Sequence, residues 1–250
     1  GEEVGVLIDV HAHFLHDRSP RPDWRERNAS RLRAGERVGI TVHVASILGS
    51  WGATSPIYFP SPADIEYGND FLLALQRTHS PRIRGYVVVN PNFQSHAMAE
   101  LGRCLDAGMI GIKLAASRRA DDPLLDPICQ VAAQRGVPVL HHIWQHRRGE
   151  YPGQEASDAA ELGALAARHP RVNFLLAHIG GGGDWLHSLA AASLAAGKAA
   201  GDALVCGDDH AAKARALLEQ VNLWQLANEP AKNISGGQKK LLEISRALML

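Results

Sequence analysis

The sequence is poor in cysteine and in aromatics, and neither charge is in excess. Its three cysteines, Cys104, Cys129 and Cys206, are widely spaced and odd in number. They make neither a CxxC pair nor a disulfide framework, so a reducing, cytoplasmic compartment is expected. Lys plus Arg and Asp plus Glu stand at 26 each, a balance that offers nucleic acid or an anionic membrane no electrostatic hold. No apolar run reaches the roughly 18 residues of a membrane span. The most apolar long stretch, Leu189 to Val205, is interrupted by Lys198 and Asp202. Glu2 and Glu3 stand where a signal peptide would carry basic residues, so none is expected. There is no GxxxxGKS or GxxxxGKT phosphate loop, and ATP binding is therefore not expected.

What is present is ordinary globular composition with one anomaly. Hydrophobic residues make up 46% of the 250 and charged residues 21%, enough apolar surface for a packed core. Against 4 tyrosines and 5 tryptophans there are 13 histidines. Where those histidines fall is the first question.

Six short aliphatic runs punctuate the chain: 6–10, 41–47, 85–90, 109–114, 137–142 and 172–178. They are continuously apolar rather than alternating, the pattern of strands buried on both faces of a parallel sheet. Helical periodicity separates them at Asp64 to Arg77, His96 to Ala107, Pro127 to Gln134 and Asp158 to His169, with Gly108 and Gly136 as left-handed stops. Strand, helix, strand at this spacing means βαβ units. Trp51 to Pro62 is too rich in Gly, Ser and Pro for either element and reads as a long loop. From about Leu189 the chain is Ala-rich and helical, with no further β-rich run.

The histidines gather at strand ends. In Asp9-Val10-His11-Ala12-His13, strict alternation sends His11 and His13 to one face, with Asp9 beside them to orient one ring. Two imidazoles so spaced can chelate one cation. His142 ends the fifth run and His178 the sixth, and barrel active sites form at that C-terminal end from several strands. His43, mid-strand, and His141, opposite in alternation to His142, read as core histidines. Lys113, at the end of the fourth run, reads as a substrate-anion contact or a surface cap. Trp144, Trp185 and Tyr151 either line a pocket or cover the core, and Trp144 is the candidate substrate contact. Arg118, Arg119, Arg147 and Arg148 follow the fourth and fifth runs. They either hold a substrate carboxylate or are solvated loop charges.

The segments IDVHAHF, GIKL, PVLHHIW and FLLAHIGGGGDW resemble, in order and spacing, the amidohydrolase-related family of metal-dependent hydrolases and decarboxylases, over about residues 4 to 187. The resemblance implies an α/β fold, a (β/α)8 TIM-type barrel that is incomplete here, with about six strand-helix units over residues 1–188. It implies that His11, His13 and His142 bind a divalent metal, zinc in the first instance, and that His178 acts catalytically beside a metal-bound water. The implied reaction is hydrolysis or non-oxidative decarboxylation of a small, carboxylate-bearing molecule, homo-oligomerisation being compatible with it. Some relatives carboxylate a lysine at the position of Lys113, a role set second to a substrate contact. The family's eighth-strand aspartate has only a coincidental imitation in Asp208 and Asp209.

Residues 189–250 are expected to be a helical segment, and Ala214 to Leu250 is similar to the helical subdomain of ABC-transporter ATPases. Ile234-Ser235-Gly236-Gly237-Gln238 matches their signature loop. That combination implies a gene fusion, a misassembled reading frame or a decayed gene. It leaves two rival readings, an ABC-transporter fragment and a non-catalytic remnant that binds metal weakly.

Overall fold

A computed structural model describes residues 7–145, 149–180, 187, 188 and 190–192. Within them the chain alternates strand and helix: β1 (Leu7–His13), α1 (Trp24–Arg37), β2 (Ile40–Ser46), α2 (Pro62–Thr78), β3 (Ile83–Val89), α3 (Gln94–Asp106), β4 (Gly111–Leu114), α4 (Asp126–Arg135), β5 (Val139–His141), α5 (Ala159–Arg168) and β6 (Phe174–Leu176). The six strands pair in sequence order, every pair parallel. This is the incomplete TIM-type barrel that the family resemblance implied, built on the parallel sheet anticipated from the runs. Single-turn 3-10 helices precede α4 and follow β6. The expected boundary near residue 188, Asp208, Asp209, Arg147, Arg148, Trp185 and the ABC-like segment lie outside the described residues.

Two apolar layers sandwich the sheet. The larger lies between sheet and helices, with Ala45, Ile47, Val87, Val89, Ile112, Leu114, Val139 and Phe174 facing Leu72, Leu101, Ile128, Leu162 and Leu165. Each such side chain, fully buried, contributes about 1.5–3 kcal/mol. The smaller layer is inside the curl, where Val44, Tyr86, Leu140 and Ala177 meet. Gly111 makes room for it: a Cβ there would stand 2.6 Å from the Tyr86 ring. Burial on both faces is why the runs were continuous rather than alternating.

Helix α1 was not among the helices the periodicity marked out. Its sequence, WRERNASRLRAGER, carries little apolar stripe. It docks instead by a polar clamp: Asn28 Oδ1 accepts from Leu15 N at 3.0 Å and Asn28 Nδ2 donates to Leu15 O at 2.8 Å. An amide that supplies both donor and acceptor substitutes for a strand neighbour, and hydrophobic periodicity is blind to it. The same device recurs where Asn69 brackets Val88 and Gln76 donates to Gly108 O and accepts from Gly85 N. Caps elsewhere follow the composition. Ser61 accepts from Asp64 N ahead of Pro62, Asp158 and Glu161 form a capping box on α5, and Gly136 closes α4 in the left-handed conformation.

Asp9 departs from the expected placement. Along the β1–β2 pairing Asp9 lies opposite His43 and Ala12 opposite Ala45, so β1 advances three residues while β2 advances two. This bulge reverses the side-chain parity. Asp9 is thereby turned to the helix side, where its Oδ2 lies 3.0 Å from His43 Nδ1; its Oδ1 accepts from the backbone N of His11 at 3.1 Å, and it bonds to neither the His11 ring nor the His13 ring. His43 is buried against Gly35 of α1, the satisfied core histidine expected of it.

Candidate metal centre

Past the bulge, His11 and His13 point into the curl, their ring centroids 4.9 Å apart. From the other end of the sheet His142, the residue after β5, and His178, in the 3-10 turn after β6, come to meet them. His178 lies 4.9 Å from the His11 ring and 4.9 Å from the His142 ring. Its Nε2 stands 3.2 Å from His142 Nδ1, so one of these nitrogens carries a shared hydrogen. Ser46, the last residue of β2, holds His13 with Oγ 2.9 Å from Nδ1. Four histidines from three separate strand ends thus meet at one mouth.

Lys113 joins them from β4. Its Nζ lies 3.2 Å from His11 Nε2, and the residue is wholly shielded from solvent. The surface-cap expectation is thereby overturned, because the inward face of β4 offers the side chain only the interior. Burial brings Lys113 down to about 7. Burial first, and then the nearby Lys113, holds His11, His13 and His142 below the usual histidine range. These imidazoles are therefore neutral at neutral pH and keep lone pairs to offer. His141 turns into the packing as expected, Nδ1 2.9 Å from the carbonyl oxygen of His142, with burial lowering it to about 4.

One observation bears directly on a cation. The buried Nε2 of His142 has no hydrogen-bond partner among the described residues, although a buried nitrogen ordinarily has one. A set of neutral imidazoles with one such nitrogen is a donor set that suits a divalent first-row metal. A second group of ligating side chains, Glu66, His96 and Glu100, has its ligand atoms within 4.8 Å of one another, on α2 and α3. There Glu100 already accepts from Arg103 Nε, Arg103 Nη2 and Asn69 Nδ2, so it reads as an ion-pair network on the barrel wall.

The mouth is walled by aromatics. Trp144 stacks on His142 at 5.9 Å and stands edge-on to His178 at 5.3 Å, so the structure brings this candidate to the cluster. Trp51 meets His13 edge-on at 5.6 Å, Tyr58 lies 5.0 Å from His142, and Tyr151 lies 5.4 Å from Tyr58. Trp51 and Tyr58 were not singled out from the sequence. The available signal was two aromatics in a long loop following a barrel strand, a segment where such folds carry their functional side chains. Arg118 and Arg119 are spoken for by loop contacts, Arg118 with Asn92 and Asp122 and Arg119 with Asp121 and Glu161. Among the described residues, the non-glycine residues with positive φ are Trp51 (56°), Ala116 (65°) and His178 (59°). The first and last touch the histidine cluster, and Ala116 follows β4 by two residues. Backbone strain of this kind concentrates at functional sites.

Comparison with known proteins agrees with this architecture. The amidohydrolase family profile matches residues 8–202. The chain belongs to the amidohydrolase family. Among solved structures, a 2,6-dihydroxybenzoate decarboxylase from Rhizobium superposes with a TM-score of 0.54 at 19% identity, covering 71% of this chain and 67% of that one. A dihydroxybenzoic acid decarboxylase from Polaromonas, with bound manganese and 2-nitroresorcinol, gives 0.51 at 17%, covering 70% and 66%. A 4-oxalomesaconate hydratase from Rhodopseudomonas palustris gives 0.50 at 16%, covering 77% and 69%. At these identities the likeness is one of fold, and this amidohydrolase spans about two thirds of each. No curated protein matches the chain. Family membership makes the chain a metal-dependent enzyme of the hydrolase or lyase type. No helix among the described residues is long and apolar enough to cross a membrane.

Proposed function

We propose that the strand-end histidines form the metal centre of a hydrolase or decarboxylase whose substrate is a small aromatic acid, with non-oxidative decarboxylation the favoured reaction. The observation that carries this reading is the unpartnered, buried Nε2 of His142 within a cluster of neutral imidazoles walled by aromatic rings. His11, His13 and His142 would hold the divalent cation, zinc or manganese, which supplies Lewis acidity toward a substrate oxygen.

The chain's own residues then divide the remaining work. Were the Nε2 lone pair of His142 to hold the cation, its hydrogen would lie on Nδ1 and be donated to His178 Nε2. His178, placed beside the cation, would carry the proton of the reaction. Trp144, Trp51 and Tyr58 sandwich a planar ring and exclude water. Lys113, whose burial lowers its pKa and whose Nζ lies 3.2 Å from His11 Nε2, is placed to hydrogen-bond the substrate carboxylate. The favoured reaction draws support from the two decarboxylases of similar fold. The ABC-like tail enters this reading only as an appended segment with no nucleotide role.

Metal analysis of the purified chain, followed by assays of carbon dioxide release from 2,6-dihydroxybenzoate, tests the proposal. A stoichiometric divalent metal is expected, with affinity lowered about 100-fold or more in His142→Ala, since even partners of metal ligands are worth 10- to 100-fold. A chain that retains no metal with all four histidines intact would overturn the reading.

A further inference from the structure

The loop between β2 and α2 reaches the metal centre from outside the barrel strands, and a single carboxylate organises it. Asp64, in the first turn of α2, is buried. Its Oδ2 accepts from Ser50 Oγ at 3.0 Å and from Ser55 Oγ at 2.5 Å, while Thr54 Oγ1 donates to the carboxylate at 2.6 Å from Oδ1 and 2.5 Å from Oδ2.

The direction of these bonds is set by the backbone. Ser50 Oγ already accepts from Thr54 N at 3.1 Å and Ser55 N at 3.4 Å, and Ser55 Oγ accepts from Ser61 N at 3.0 Å. With their lone pairs engaged by N–H groups, these hydroxyls must donate toward Asp64. Only an acceptor-only group satisfies every one of them. Ser61 Oγ in turn accepts from Asp64 N, which ties the loop to the helix cap.

The tips of this loop touch the histidines. Trp51 holds a left-handed backbone at φ 56°, a conformation that is unfavourable outside glycine and persists only where its surroundings over-determine it. Its Nε1 donates to Phe14 O at 3.3 Å and its ring meets His13. Tyr58 is pinned by Ser117 Oγ donating to its carbonyl at 2.6 Å, and its ring meets His142.

We propose that Asp64 is a positioning residue of the metal centre: by accepting from the hydroxyls of Ser50, Thr54 and Ser55 it holds Trp51 and Tyr58 against His13 and His142, and so sets the shape of the mouth. The assignment stands on the loop geometry and not on which reaction is catalysed.

The test is Asp64→Asn in the full chain, which replaces one acceptor with a donor. Losing a charge-assisted hydrogen bond shifts a local equilibrium by about tenfold or more. Proteolytic cleavage within residues 48–61 is expected to quicken by that factor. Acrylamide quenching of Trp51, isolated by difference against Trp51→Phe, should rise toward that of an exposed indole. Metal affinity should be unchanged, whereas 2-nitroresorcinol binding weakens by about the same factor, a split that general destabilisation would not produce. Should Asp64→Asn fail to fold, Ser55→Ala removes one arm of the network and is expected to move the same readouts less. Wild-type cleavage and quenching in the variant would overturn the proposal. Absence of nitrophenol binding in the unmodified chain would sink the aromatic-acid reading alone, because cleavage and quenching still judge Asp64.

Discussion

The two halves of the sheet are built differently. Strands β1, β2 and β3 are seven residues long and backed by helices of 14, 17 and 13 residues. Strands β4, β5 and β6 have four, three and three residues, and α4 and α5 ten each. The long half is also clamped from outside by Asn28, Asn69 and Gln76, each bonding strand or strand-end backbone. The proposed metal centre straddles the difference. His11 and His13 hang from the long, bulged β1, whereas His142 and His178 sit just beyond the short β5 and β6. In the first half strand pairing, with the bulge between Asp9 and Ala12, aims the side chains. In the second they are aimed by irregular backbone, His178 with φ 59°, and by one another.

That contrast is open to test. The largest effect is expected from paired core truncations. Ile83→Ala, in the fully buried start of β3, should cost about 2–5 kcal/mol in urea unfolding. Leu176→Ala, half-buried at the end of β6, should cost about half as much because less apolar surface is returned to water. Equal costs would mean that the halves are equally well packed. Next comes Gly35→Ala, whose Cβ would stand 2.5 Å from His43 Nε2. Overpacking there should cost about 1–3 kcal/mol, read as a fall in the urea midpoint. A neutral result would show that the Asp9–His43 pair yields easily and that the bulge is not locked from the helix side.

The smallest expected effect is a pH dependence. Burial works against the Asp64 carboxylate, but the hydrogen bonds from Ser55, Thr54 and Ser50 outweigh it and hold its pKa below the ordinary 3.8. A group depressed on folding contributes stability that is fully present above its unfolded pKa and is lost as pH falls through its folded one. Stability attributable to Asp64 should therefore decline only below about pH 3.8. The difference between the unmodified chain and Asp64→Asn should shrink over that window in acid unfolding monitored by circular dichroism. A difference that persists unchanged to lower pH would contradict it.

Much of this was legible in the residues. The six aliphatic runs became six parallel strands, because a sheet covered on both faces needs continuous apolar sequence. HxH at the first run, His142 at the end of the fifth and His178 at the end of the sixth stood out because chance does not align histidines at strand ends. Helix α1 was hidden because its docking is polar, and Trp51 and Tyr58 because a loop has no period.

By itself, then, the sequence determined the order of the strands and of the helices that carry an apolar stripe, and which imidazoles stand at strand ends, since both follow from apolar periodicity along the chain. Tertiary structure alone decided that Asp9 faces His43 rather than the histidine pair, because one extra residue in β1 reverses parity and only strand pairing reveals it. It also decided that Lys113 is buried against His11, 102 positions away, and that Asp64 gathers hydroxyls from a loop. Contacts across such separations arise from the curl of the sheet and leave no periodic trace in the chain.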